Sequence, residues 1–248
     1  MKKINIAMKR IAALALFGSV VSAAQAQELI TNGGFEAGFS GWTVIDQVGS
    51  EGTFFVQTGT TSPINGFDVP AAPEGTQAAM TDAEAAGSHV LYQDLVLPTE
   101  IGQGILRFSV YVNSGDTFRT PTNLDWAATN RTGALNLNQQ ARVDLLSALA
   151  DPFSVASADI VTNVFRTTPT DPLISGYTDF AVDITPFLRA NAGQTVRLRF
   201  AEVDNVSFFN FGVDRVSLLI AAAPEPGTFA LLALGVAAFV VRRRRNAA

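Results

Sequence analysis

Hydrophobic and polar positions alternate with a period of two along most of this chain. Residues 105–112 read Ile-Leu-Arg-Phe-Ser-Val-Tyr-Val, with Leu106, Phe108, Val110 and Val112 on one face and Ile105, Arg107, Ser109 and Tyr111 on the other. Successive side chains of an extended strand point to opposite faces, so this is the pattern of a half-buried strand. Residues 195–203 behave alike, setting Val196, Leu198 and Phe200 against Arg197, Arg199 and Ala201. Further strands are expected at 42–45, 52–57, 76–81, 89–97, 158–165, 180–184 and 210–220, where β-branched and aromatic residues lie between turn residues. Residues 142–149 fit either a strand or a short helix, and the chain turns over at Thr185-Pro186-Phe187-Leu188. Loops are expected at 58–75, 82–88 and 169–176, and residues 114–140 form a long polar segment whose large aromatics are Phe118 and Trp126. No stretch carries a convincing amphipathic-helix period. About ten short strands separated by turn signals predict an all-β chain folded as an antiparallel β-sandwich.

The two ends do not share this pattern. At the start, Lys2, Lys3, Lys9 and Arg10 precede an apolar run, Ile11 to Val21, and a small-x-small triplet, Ala24-Gln25-Ala26. This is the form of a secretory signal peptide, residues 1–26, which is excluded from the fold. At the other end, Pro224-Glu225-Pro226 is followed by Thr228 to Val241, without a charge, and then by Arg242 to Arg245. The prolines keep the backbone extended. The apolar run suits a helix in lipid, and the arginines hold its end in the cytoplasm. A helix of 14 residues reaches only ~21 Å against a hydrocarbon core of ~30 Å. Such a span suits transient retention better than permanent anchoring. Between the ends, residues 27–221 are enough for one sizeable sandwich and too few for two comfortable domains.

Removing the ends changes the charge. Of 17 basic residues, eight lie in the two ends, leaving nine arginines against 22 acids and a net charge of −13 for residues 28–241. A body of that sign is repelled by nucleic acid and by anionic lipid, which argues against either as its partner. The chain has no cysteine. Thiol catalysis, redox chemistry and cysteine-based zinc sites are therefore excluded, and stability must come from the core, with a bound cation as a further source.

The tail, from Pro224-Glu225-Pro226 through Thr228–Val241 to Arg242–Arg245, resembles the PEP-CTERM sorting signal of Gram-negative bacteria. The resemblance implies recognition by an exosortase, a membrane cysteine transpeptidase. It would cut near Pro224-Glu225-Pro226 and release or re-attach the body outside the inner membrane. The alternative is an ordinary C-terminal anchor. In the body, Leu29-Ile-Thr-Asn-Gly-Gly-Phe-Glu36 followed by Trp42, then Tyr177 to Thr185, Gly193 to Phe200 and Phe211-Gly-Val-Asp-Arg-Val-Ser217 together resemble galactose-binding-like jelly rolls. That group includes many carbohydrate-binding modules. Residues 114–170 match nothing in it.

The resemblance implies a structural Ca²⁺ held by Glu36 and Asp214, with oxygens near Asn32, Gly34 and Glu74. Calcium takes six to eight hard oxygens, and glycine-rich backbone can present carbonyls. The competing reading is a solvated Glu36 and an Asp214 that makes a turn or strand-end hydrogen bond. For glycan binding the candidates are Trp126 with Asn123, Asp125, Asn130 and Arg131, because sugar rings stack on aromatic planes. The competing reading of Trp126 is a loop anchor tucked over a sheet edge. His89 is the only histidine and reads as a capping or edge residue. With one histidine and no Gly-x-Ser-x-Gly elbow, a serine triad has little support, and a histidine-rich metal site is impossible.

The expected protein is an exported, exosortase-processed, non-catalytic component of the cell surface or extracellular matrix that binds extracellular polysaccharide, as in a biofilm. A structural or adhesion protein with protein partners is the second reading, and a glycan-active hydrolase the third.

Overall fold

The computed structural model describes residues 26–222, together with Gly235. The predicted signal peptide apart from Ala26, the predicted membrane span apart from Gly235, and the arginine cluster lie outside those residues. So does the Pro224-Glu225-Pro226 motif.

The alternating segments fold as strands: β1 (Ala26–Glu28), β2 (Thr43–Asp46), β3 (Thr53–Thr58), β4 (Gln77–Asp82), β5 (Gly87–Val96), β6 (Gln103–Ser114), β7 (Gln139–Ser147), β8 (Ile160–Arg166), β9 (Thr178–Asp183), β10 (Thr195–Asp204) and β11 (Phe209–Ala221). They form two antiparallel sheets. One has the order β3-β4-β11-β6-β9, with β1 paired to the end of β11, and the other the order β2-β5-β10-β7-β8. From β4 to β7, and again from β8 to β11, successive strands cross between the sheets, the winding of a jelly roll. The core between the sheets is built from the expected apolar faces: Leu106, Phe108, Val110, Phe211 and Val213 from one, Leu91, Val143, Leu198 and Phe200 from the other.

Three expectations change. Of residues 142–149, open between strand and helix, 142–147 belong to β7, which lies between β10 and β8, and 148–149 to the turn after it. The segment expected to turn over at Thr185 is a short helix, α1 (Thr185–Ala190), with proline in its first turn and Leu188 buried. Proline's fixed φ suits a first turn, whose amide would lack an intrahelical acceptor in any case.

The long segment 114–140 is not merely polar. Phe118 enters the core between the sheets, while Leu124 and Trp126 pack on the outer face of the second sheet with Val90, Ala201 and Val203. That face is therefore covered. Its arginine Arg199 is completely buried, although on an open sandwich it would face water.

Candidate functional site

The opening motif loop docks against a bulge in β11, where the register against β6 shifts between Asp214 and Ser217. A Cβ on Gly33 would fall 1.7 Å from the Val216 carbonyl oxygen, so only glycine fits there. The Val216 amide donates to the Gly33 carbonyl at 2.9 Å. Asn32, Phe35 and Arg215, all non-glycine, take left-handed backbone at φ 54°, 56° and 54°. Strain of this kind persists where surrounding contacts over-determine the backbone.

This docking sets Glu74 and Asp214 beside Gly34 and Glu36 beside Gly75, without bringing an oxygen of each of the three within 4.8 Å of the others. Asp214 is buried; its Oδ2 accepts the Glu74 amide at 2.9 Å and its Oδ1 the Arg215 amide at 2.7 Å. Burial pushes its carboxyl up to about 6, and the Glu74 charge adds to the rise. Glu36 is exposed and accepts the Thr76 and Gln77 amides, both at 2.8 Å, and the Thr76 hydroxyl at 3.0 Å. Those two amides, Thr76 first, hold its carboxyl below the usual range. A Cβ on Gly34 would stand 3.8 Å from Glu74 Oε2 and 3.9 Å from Asp214 Oδ1, and one on Gly75 would overlap Glu36 Oε1 at 2.3 Å. The two glycines therefore keep free the space the carboxylates border.

Asn32 does not take the expected part. Its carbonyl oxygen accepts Trp42 Nε1 at 3.0 Å and the Phe35 amide at 3.2 Å, and its side-chain oxygen accepts the Ala37 amide at 3.1 Å. Its oxygens are committed to shaping the loop. Glu36 Oε1 is likewise taken by two amides, which leaves Glu36 Oε2, Glu74 and Asp214 as hard oxygens of the kind calcium takes. They would pin the first loop to the last strand.

The second candidate lies on the outer face of the second sheet, where the segments around 123–125 and 151–155 border a cleft of about 360 Å³. Gln47, Thr122, Asn123, Asp125 and Asp151 supply its polar lining, and Leu124, Phe153 and Val155 apolar surface. Two of the sequence-predicted ligand residues, Asn123 and Asp125, thus border one cavity. Asp125 Oδ1 accepts Gln47 Nε2 at 2.6 Å and the Ala127 amide at 2.9 Å, which fixes the rim.

Trp126 is not part of that lining. Its amide donates to Ser88 Oγ at 3.1 Å, its carbonyl accepts Asn205 Nδ2 at 2.7 Å, and its ring packs on the sheet. It packs as a loop anchor and stands outside the cleft in which its neighbours Asn123 and Asp125 take part. Arg131 is exposed in a separate turn closed by the Thr129–Leu135 bridge and does not line the cleft. Phe153 is the aromatic that sequence reasoning missed. Its signal was a large apolar residue within the small and polar run 147–158.

Buried charge holds the far wall in place. Arg199 pairs with Asp144 and donates through Nη1 to the carbonyls of Pro152 and Ser154 at 2.6 and 2.7 Å. Arg142 grips the same carboxylate through Nε and Nη2 at 2.7 and 2.8 Å. Burial alone would raise the Asp144 carboxyl, but the two guanidiniums more than reverse this and hold it below its ordinary value. Alongside, Arg197 pairs with Asp94 at 2.7 Å, reaches the Ala150 carbonyl at 3.2 Å and lies 3.9 Å over the Tyr92 ring.

His89 corrects another expectation. It stands on β5 between β2 and β10, is fully buried, and accordingly neither caps a strand nor sits at a sheet edge.

The fold is thus a two-sheet jelly-roll sandwich with a cleft on one outer face and an acidic cradle where its first loop meets its last strand. Residues 222–245 match the family model described as the PEP-CTERM protein-sorting motif. The chain therefore carries the sorting signal on which exosortases act. None of the curated proteins matches it in sequence.

Solved structures similar to it include TmCBM61 in complex with β-1,4-galactotriose, at 14% identity and TM-score 0.45, covering 77% of this chain and 97% of that one. The K3 cleaved adhesin domain of Lys-gingipain from Porphyromonas gingivalis w83 has 16% identity, a TM-score of 0.45 and coverage of 78% and 98%. An apo cyclase from Fischerella sp. has 18% identity, a TM-score of 0.45 and coverage of 81% and 99%.

Proposed function

We propose that this is an exported, exosortase-processed protein of the cell surface or extracellular matrix, whose sandwich binds extracellular polysaccharide without cleaving it. The observation that carries the glycan reading is the cleft beside Phe153. A half-buried ring with Gln47, Asn123, Asp125 and Asp151 around it offers what a sugar needs: an apolar plane for C–H faces and fixed polar groups for hydroxyls. Two carboxylates in that lining, on a body of strongly negative charge, favour a neutral polymer over an anionic one. The tail supports passage through the inner membrane, and the basic and apolar N-terminal run supports export by a signal peptide.

In this reading calcium is a structural ion at Glu36, Glu74 and Asp214, without a part in binding glycan. The test is titration of neutral and acidic polysaccharides while following tryptophan fluorescence, since Trp126 lies next to the lining residue Asp125. A saturable change with a neutral polymer and no release of reducing sugar supports the reading. No change with any polymer overturns the glycan part, and sugar release overturns the non-catalytic part.

A further inference from the structure

We propose that His89, Glu202 and Asp204 form a separate, buried cation site that takes a divalent first-row transition metal, zinc above all. On the inner face of the second sheet, Val44, Leu91, Phe200 and Val143 make one cross-strand row, and two residues further along the next row is Asp46, His89, Glu202 and Ala141. The apolar face of β10 thus runs on into Glu202 and then Asp204, and both acids point into the sandwich. A ligand atom from each of His89, Glu202 and Asp204 lies within 4.8 Å of the others, and all three residues are buried. Among the described residues this is the one such group of three. Around a tetrahedral ion at ~2.0–2.1 Å, donors stand about 3.3 Å apart, so modest side-chain rotation closes the set.

The hydrogen bonding leaves these groups waiting for a partner. His89 Nδ1 lies 2.7 Å from Asp46 Oδ1. A proton on Nδ1, donated to that carboxylate, leaves Nε2 with its lone pair, the arrangement in which a second carboxylate orients a metal-binding imidazole. Nε2 is buried without a hydrogen-bond partner, and so is Glu202 Oε1. Buried polar atoms in folded proteins are nearly always paired, so two orphans in one cluster point to a missing ligand. Gly87, opposite Asp204 in register, keeps the space open: a Cβ there would fall 2.3 Å from His89 Nε2. Its amide donates to Asp204 Oδ1 at 2.8 Å, which leaves Oδ2 available. Asp204 also lines a cleft of about 290 Å³ between Asn65, Phe67, the 83–86 turn and Ser207, which gives an ion its way in.

The donor set selects the metal. One imidazole with two carboxylates suits zinc and its neighbours, whereas calcium prefers oxygen alone. Two carboxylates and a dication also sum to neutrality, which suits a buried site. The ion would tie β5 to β10 at the end of the core, in a chain that has no disulfide to do so.

The test uses the full-length chain purified in detergent, stripped with a chelator and titrated with Zn²⁺, Mn²⁺ or Ca²⁺. Binding is read by elemental analysis and by competition with a chromophoric indicator, and stability by melting temperature. The expected result is one Zn²⁺ per chain and a rise in melting temperature of about 5 °C. Both should be lost in His89→Gln and Glu202→Gln and kept in Glu36→Gln, which separates this site from the calcium cradle. A wild-type chain that takes up no zinc, or variants that bind it as wild type does, would overturn the proposal. Should the variants fail to fold, X-ray absorption of the zinc-loaded wild type decides: imidazole scattering supports the site, and its absence refutes it.

Discussion

Arg199 on β10 and Asp144 on β7 stand directly opposite each other in register, ion-paired and wholly buried beneath the loop that walls the cleft beside Phe153. Asn163 Nδ2 adds a hydrogen bond to Asp144 Oδ1 at 2.7 Å, so one carboxylate organises two arginines and β8. Through Arg199 the same group fixes the Pro152 and Ser154 carbonyls on either side of Phe153.

Replacing Asp144 with Asn strands two buried guanidiniums and should cost about 3–5 kcal/mol, measured by urea unfolding. Exchanging all three for apolar residues, Asp144→Leu with Arg142→Met and Arg199→Met, should cost much less, because no unpaired charge is then left inside. The triple variant should still bind glycan more weakly, since the wall loses the donors that place Phe153.

Phe153→Ala should leave the fold intact, since the ring is only half-buried, and weaken binding of a neutral polysaccharide tenfold or more, a loss of about 1.4 kcal/mol. Trp126→Phe should leave affinity nearly unchanged, because Trp126 anchors its loop and does not line the cleft. Calorimetric titration of both variants separates the two aromatics.

Calcium removal should lower the melting temperature by about 5 °C, the effect of an ion present at about 100 times its dissociation constant on a body of this size. Gly75→Ala should abolish that response, because the added methyl would occupy the space beside Glu36 Oε1 and Gly75 already has a φ of +60°. Scanning calorimetry with and without chelator gives the answer.

In the chelator-treated protein, pH should act on two sides. Asp144 is held below its unfolded value, so its contribution is present above about pH 4 and lost as pH falls through its folded value. Asp214 is pushed up to about 6, so its contribution is full below about pH 4 and lost as pH rises through 6. Metal-free protein should therefore be more stable at pH 5 than at pH 8. Asp214→Asn should reduce that difference, and calcium should reduce it in the wild type by holding the carboxylate ionised.

Replacing Pro224, Glu225 and Pro226 with alanine should leave Arg242–Arg245 on the protein recovered from the envelope. The unaltered chain should lose them, with its mature end near 224–226, as read by mass spectrometry of C-terminal peptides.

Much of the fold was legible because burial on one face leaves a period of two, as in Ile105–Val112 and Thr195–Val203. A joint role for Glu36 and Asp214 was expected only through resemblance, and the structure sets each against backbone amides of its own. That Asn32 spends its oxygens on Trp42, Phe35 and Ala37 depends on a loop conformation that no local pattern encodes. Trp126 and Phe153 are both aromatics in polar surroundings, and which one borders the cleft depends on which way each loop folds over the sheet. His89 looked ordinary because its meaning lies across the sheet. Yet a trace of it was present: continued two steps past Phe200, the apolar face of β10 reaches Glu202 and Asp204.

The order of residues along the chain determined the strands, the apolar core faces, the acidic charge of the body and the sorting tail, since each depends on near neighbours or on composition. Only the tertiary structure decided which polar residues became interior ones. Arg199 and Asp144 point outward and are buried because loops distant in sequence close over that face, whereas His89 and Glu202 point inward beyond the last apolar row. An alternating pattern records which face a side chain takes without recording what covers it.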